Sequence, residues 1–153
     1  MSPRAAWRLE SIGFGRVYDY TAGKADWGSF GLPLEGQRPS TTRVGAYTRG
    51  DVPTCAPTDR LQEVCDRVEA AGWDTCFVVN AQRVVLGRLG RSALSARRDV
   101  TAEEAMSAGP STVRPSFELD KACARMHTQN LTGLPVTRSD GVLLGLLRRA
   151  GSD

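Results

Sequence analysis

The chain has 153 residues, 41% of them hydrophobic and 24% charged, with a formal net charge of +3. That length fits one domain or two small ones, and such a composition can bury a substantial core, which excludes global disorder. No run approaches the roughly 18 apolar residues of a membrane span, and Glu10, Asp19 and Asp26 break up the N-terminal stretch where a secretory signal would need an apolar block.

Cys55, Cys65, Cys76 and Cys123 form no CxxC pair, and the single His127 completes no common zinc set, so no metal centre is expected. Four reduced thiols point to a cytoplasmic protein. Basic residues are spread along the chain without forming a tail, so a nucleic-acid partner is not indicated. Nearly all of them are arginines, which suits anion recognition.

Residues 1–36 stand apart. Ser2-Pro3 is a helix start with proline in the first helical position, Gly13 ends that helix, and Val17–Tyr20 is expected as a short strand. Trp7 and Trp27 need burial, and a piece this short cannot form its own core, so it is expected to pack on the remainder or on a partner. Residues 37–43, with Pro39, Ser40, Thr41 and Thr42 in a row, read as a linker, and Val44–Arg49 as the start of the next unit.

Beyond the linker the chain repeats itself. Laying Asp51–Ser95 over Gly109–Asp153, a constant shift of 58 residues without a gap, aligns Thr54, Pro57, Leu61, Cys65, Arg67 and Val78 with Thr112, Pro115, Leu119, Cys123, Arg125 and Val136. It also aligns Val84, Leu86, Gly87, Leu89 and Arg91 with Val142, Leu144, Gly145, Leu147 and Arg149. These eleven identities fall on structural positions, as expected of an internal repeat.

Each copy reads as strand, helix and hairpin. In the first, Asp59 is placed to cap a helix with Gln62 at its third position. Leu61, Val64, Cys65 and Val68 follow at the spacing of one buried face, and Gly72 supplies the stop. The second repeats this with Leu119, Ala122, Cys123 and Met126, and Asn130 takes the stop position. Cys65 and Cys123 are thus expected as small core residues, and His127 as a surface side chain. The runs Cys76–Val79 and Val84–Leu89 form one hairpin; Leu134–Val136 and Val142–Leu147 form another through Asp140-Gly141. Between the copies, Thr101-Ala-Glu-Glu104 is a capping box that opens a short helix through Met106.

The stretches DVPTCAPTDRLQEVCDRVEAAGWDTCFVVNAQRVVLGRLGRSAL and AMSAGPSTVRPSFELDKACARMHTQNLTGLPVTRSDGVLLGLLRR each resemble a CBS domain. The resemblance implies an α/β protein in which two βαββ-type repeats, 44–98 and 99–153, pack by pseudo-twofold symmetry behind a short helix-strand segment. It also implies a regulatory, non-catalytic module that binds an adenosine-type ligand or an anion in the cleft between repeats and forms a homodimer through exposed helices. The alternative is a ligand-free dimerisation and scaffolding module. On this resemblance the candidate ligand residues are Thr54, Cys55, Pro57, Trp73, Arg91, Thr112, Val113, Pro115, Thr132, Pro135 and Arg148. Cys55 is the thiol expected to be most reactive. The family pattern Gly-h-x-Thr/Ser-x-x-Asp, whose hydroxyl and carboxylate hold phosphate and ribose, is departed from in both copies. Gly90 and Arg148 stand at the hydroxyl positions, and Ala93 and Gly151 at the carboxylate positions. The usual adenine nucleotide or adenosyl ligand therefore loses its ribose contacts.

The N-terminal stretch SPRAAWRLESIGFGRVYDYTAGKADWGSFGLPLEG resembles the closing third of a rhodanese domain. That chemistry needs a persulfide-forming cysteine just ahead of Ser2, and no cysteine precedes Cys55, so a sulfurtransferase is the least favoured reading.

Overall fold

The computed structural model describes residues 3–18, 20, 23–30, 32–33, 42–96 and 98–149, so most of the expected linker lies outside the described residues. The N-terminal part holds α1 (Pro3–Ser11), α2 (Gly23–Ser29) and a 3₁₀ turn at Val44–Tyr47. The first copy contains β1 (Thr54–Cys55), α3 (Leu61–Ala70), β2 (Cys76–Val79), β3 (Val85–Leu89) and α4 (Arg91–Ala96). Next come α5 (Ala102–Ala105) and β4 (Ser107–Ala108), then α6 (Leu119–Thr128), β5 (Gly133–Thr137) and β6 (Leu143–Arg148). No described helix is long and apolar enough to cross a membrane.

The apolar spacing of α3 becomes its buried face: Leu61, Val64, Cys65 and Val68 all lie in the first core, with Val78 and Leu89 beneath them. Asp59 does not cap this helix. Arg60 holds the cap position, where its donor-only guanidinium offers no acceptor, and the Leu61 amide that Asp59 would have capped donates to the Val100 carbonyl at 3.0 Å. Asp59 instead accepts from the Ala56 amide and from Arg67, at 3.3 and 2.7 Å. At the far end Gly72 (φ 68°) turns the chain, and the Trp73 amide closes onto the Val68 carbonyl at 3.0 Å. Asn130 (φ 49°) does the same for α6, with Leu131 donating to Met126 at 2.8 Å. The capping box of Thr101 and Glu104 forms as expected.

The 58-residue shift reappears as symmetry. In the first sheet, ordered β1-β2-β3-β4, Cys55 pairs in parallel with Val78, and Arg88 pairs antiparallel with Ser107. In the second, β5-β6 is flanked by the matching bridges Val113 to Val136, parallel, and Arg49 to Leu146, antiparallel. The axis passes where Val84 bridges its own counterpart Val142, with Val85 donating to Gly141 and Leu143 to Arg83 at 3.2 and 3.0 Å.

The entering segments cross over. Ala102 of α5 is fully buried in the first core, whereas Val44 is fully buried among Val113, Ala122, Met126 and Leu134 of the second. Val44–Arg49, expected to open the first repeat, therefore packs against the second. Each crossing strand passes over a glycine: Met106 over Gly87, and Thr48 and Arg49 over Gly145.

Cys65 is buried and its thiol donates to the Leu94 carbonyl at 3.0 Å, but Cys123, expected to be its equivalent, is exposed. Leu94 lies on α4 over Cys65; the residue in register with it, Ser152, is polar and outside the described residues. The strand expected at Val17–Tyr20 does not form: residues 17, 18 and 20 carry no strand pairing, and Asp19 lies outside the described residues. A helix the sequence reading missed, α2, follows instead. It seats on the second repeat, with the Arg138 guanidinium 4.5 Å over the Phe30 ring just beyond its end and Gly28 against Ser116. The Tyr20 hydroxyl donates to Asp26, and the Tyr20 and Trp27 rings meet edge to face at 5.3 Å.

Candidate functional site

The two entering strands and the two hairpins leave a pair of symmetry-related positions between repeats. On one side there is a cavity of about 390 Å³, within the range of small-molecule sites. The first copy contributes Arg88, Gly90, Ser92 and Ala93 to its wall, the crossing segment Ser107, Pro110 and Ser111, and the second copy Leu131, Gly133 and Pro135. Among the described residues lining it there is no carboxylate, and Arg88 is its only charged side chain.

At the symmetry-related position, among the described residues, larger side chains take up the space; Ala150 and Gly151, which match Ser92 and Ala93, lie outside the described residues. The 58-residue shift sets Trp73 against Leu131, Thr75 against Gly133, Phe77 against Pro135, Arg148 against Gly90 and Arg49 against Ser107. Trp73 lies under two guanidinium groups, Arg49 at 4.7 Å and Arg148 at 5.5 Å from its ring. Val52, Phe77, Val79, Leu143 and Leu146 are buried together around it. Larger residues thus stand at five matched positions, of which Phe77 and Thr75 are buried while the Arg49 side chain stays 51% exposed over the Trp73 ring.

Arg88 is the residue that most separates the two sides, since its counterpart Leu146 is 3% exposed in that core. Its Nε donates to the Thr75 hydroxyl at 2.9 Å and its Nη2 to the Thr132 hydroxyl at 3.3 Å, joining the two repeats. Burial pulls its guanidinium below the ordinary arginine value, an effect opposed by the Asp74 carboxylate. Asp74 itself forms an ion pair with Arg91 at 3.0 Å.

The residues expected at the site divide into groups. Pro135 lines the open cavity and Thr132 holds Arg88 beside it. Ala93 and Gly90, the positions without carboxylate and hydroxyl, also line it, whereas Gly151 lies outside the described residues. Thr112 follows the lining residue Ser111 and is half-buried. Trp73 and Arg148 belong to the filled side. Thr54 pairs with Phe77 on β1, and Cys55 and Val113 are buried in the first and second cores. Pro57 accepts from the Glu103 amide at 3.0 Å and Pro115 from the Gly45 amide at 2.9 Å, so both lie where the entering segments dock. Arg91 faces a different hollow, shared with Cys65, Glu69 and Trp73 on the outer side of α3 and α4. The reading from sequence missed Arg88, Ser107, Pro110, Ser111 and Leu131.

Cys55 is not the accessible thiol. It is 4% exposed, and a hydrogen bond with Cys76 pulls it down while pushing Cys76 up. Cys123 is the exposed one of the four. Titration of the native protein with an aromatic disulfide reagent should therefore consume one thiol per chain rapidly and the rest only after denaturation. Loss of the rapid thiol in Cys123→Ser checks the assignment; a rapid thiol that survives the change contradicts it.

Residues 98–150 match the CBS domain family. The chain also has the fold of CBS-domain pairs. It superposes on CBSX2 in complex with AMP with a TM-score of 0.65 at 19% identity, over 70% of this chain and 90% of that one. For the CBS domains of a transcriptional regulator from Streptococcus pneumoniae the values are 0.65 and 23%, over 71% and 93%. For the domain pair of MJ0100, in complex with 5′-methylthioadenosine and S-adenosyl-L-methionine, they are 0.64 and 17%, over 71% and 90%.

Proposed function

We propose that the chain is a non-catalytic regulatory module that binds one adenosine-type ligand in the open cleft. The observation that carries this reading is the asymmetry between the two matched positions, a cavity of about 390 Å³ on one side and packed core on the other. An apolar floor of Leu131 and Pro135 can receive a flat ring, and the Ser92, Ser107 and Ser111 hydroxyls surround it with hydrogen-bonding groups. Fold neighbours that bind AMP or S-adenosyl-L-methionine support the ligand class.

A thermal-shift screen of adenosine, AMP, ATP and S-adenosyl-L-methionine tests the reading, since a ligand that binds only the folded state raises the midpoint. Ala93→Asp places an acceptor for the sugar hydroxyls on the cleft wall. A hydrogen bond to a charged group contributes about 1.5–3 kcal/mol, so this variant should bind adenosine at least about ten times more tightly. No shift with any adenosine compound, in the parent or the variant, would leave the scaffolding alternative.

The homodimer, which either reading allows, finds a better surface away from the helices. The outward positions of α3 and α6 carry Glu63, Asp66, Glu69, Asp120, Lys121 and His127, which makes the helices a poorer apolar interface than the family resemblance implies. Exposed Trp7, Ile12, Phe14 and Tyr18 in the N-terminal segment offer a better one.

A further inference from the structure

We propose that the open cleft is an anion site in which Arg88 holds a phosphate group of the ligand, with Ser111 and Arg125 at its rim, and that it does not read the ribose hydroxyls. This rests on the reading of the cleft as a ligand site and adds the chemistry it selects. Arg88 is a half-buried guanidinium whose hydrogen-bond partners are the hydroxyls of Thr75 and Thr132; the Asp74 carboxylate acts on it through space but is ion-paired with Arg91. A guanidinium carries five N–H donors, and these two bonds occupy two of them. The others border a cavity whose described lining offers no acidic group. A half-buried cation with neutral partners is the arrangement that a charge-assisted bond to an anion completes.

Arg125 repeats the pattern at the rim. Its Nη2 donates to the Ser111 hydroxyl at 2.8 Å, and no described carboxylate pairs with it. Accepting that bond leaves the Ser111 proton available to a ligand oxygen on the cleft side. The absence of an acid from the described lining has a second consequence. Ribose hydroxyls find no charged acceptor there, so discrimination rests on the ligand's charge and not on its diol.

Calorimetric titration with AMP, adenosine, 2′-deoxy-AMP and inorganic pyrophosphate, in the parent protein and in Arg88→Leu, tests the proposal. Leucine is the residue the matched position already carries in its core, so the variant is expected to fold, and circular dichroism confirms that it has. AMP should bind at least ten times more tightly than adenosine, and Arg88→Leu should remove that margin while leaving adenosine within twofold. 2′-Deoxy-AMP should match AMP within threefold. Adenosine binding as tightly as AMP, or AMP affinity unchanged in Arg88→Leu, would overturn the anion site. A tenfold loss with 2′-deoxy-AMP would overturn the indifference to the diol. Arg88-dependent pyrophosphate binding without any binding of the adenine compounds would uphold the anion site and refute the adenosine reading; failure of all four probes would overturn both.

Discussion

Gly145→Ala should destabilise the protein by about 3 kcal/mol, the upper end of the ~1–3 kcal/mol that overpacking a close contact costs. A Cβ at this position would overlap the Arg49 carbonyl and the Thr48 methyl group. These belong to the segment crossing the second sheet, where Arg49 and Leu146 exchange both backbone hydrogen bonds at 2.9 Å. Relief requires the backbone itself to move, and that would separate the crossing segment from β6 and draw Val44 out of the second core. At the matched Gly87 the obstacle is the Met106 side chain, whose sulfur and Cγ can turn aside so that only a small shift of its Cβ, at 2.9 Å, remains. Gly87→Ala should thus cost less, about 1–2 kcal/mol. Urea denaturation of the two variants checks the order; equal losses, or a larger one at Gly87, would show that the crossing backbone is not what fixes the second sheet.

The second large effect concerns ligand binding. Carrying the residues of the filled side onto the open one, as Leu131→Trp with Ser107→Arg and Gly90→Arg, should close the cavity and weaken the best ligand by at least about a hundredfold, or roughly 2.7 kcal/mol. The fold already accommodates Trp73 beneath Arg49 and Arg148 at the matched positions. The triple variant should therefore unfold near the parent's midpoint while losing the ligand-induced shift. Unfolding at a much lower midpoint would show that the two positions are not equivalent in their packing.

Much of the fold was legible because it repeats. Leu61, Val64, Cys65 and Val68 announce a helix by spacing alone, Gly72 and Asn130 mark its two versions' ends, and the constant shift implies a twofold axis. The crossing of Val44–Arg49 onto the second repeat was not legible, because periodicity describes an element and not its distant partner. Val17–Tyr20 had a strand's composition but finds no edge to pair with among the described residues, and α2 forms in a glycine-containing stretch with little helical signature. Asp59 was misplaced as a cap because the Leu61 amide finds a backbone acceptor in Val100.

The site was half legible. The missing acids at Ala93 and Gly151 could be read by matching the copies to a pattern, which says what has been lost. Arg88 could be found only by matching the copies to one another: Arg88 against Leu146, Gly133 against Thr75, Leu131 against Trp73. Differences of charge and volume between otherwise equivalent positions were the available signal, and matching each copy to the family pattern makes no use of it.

If the open cleft is the ligand site, the chain holds one such site and the matched position none. Equilibrium dialysis at saturating concentration, with the adenosine compound giving the largest thermal shift, measures this directly. Saturation is expected at one ligand per chain in the parent and none in the triple variant. Two ligands per chain, or one retained in the triple variant, would contradict it.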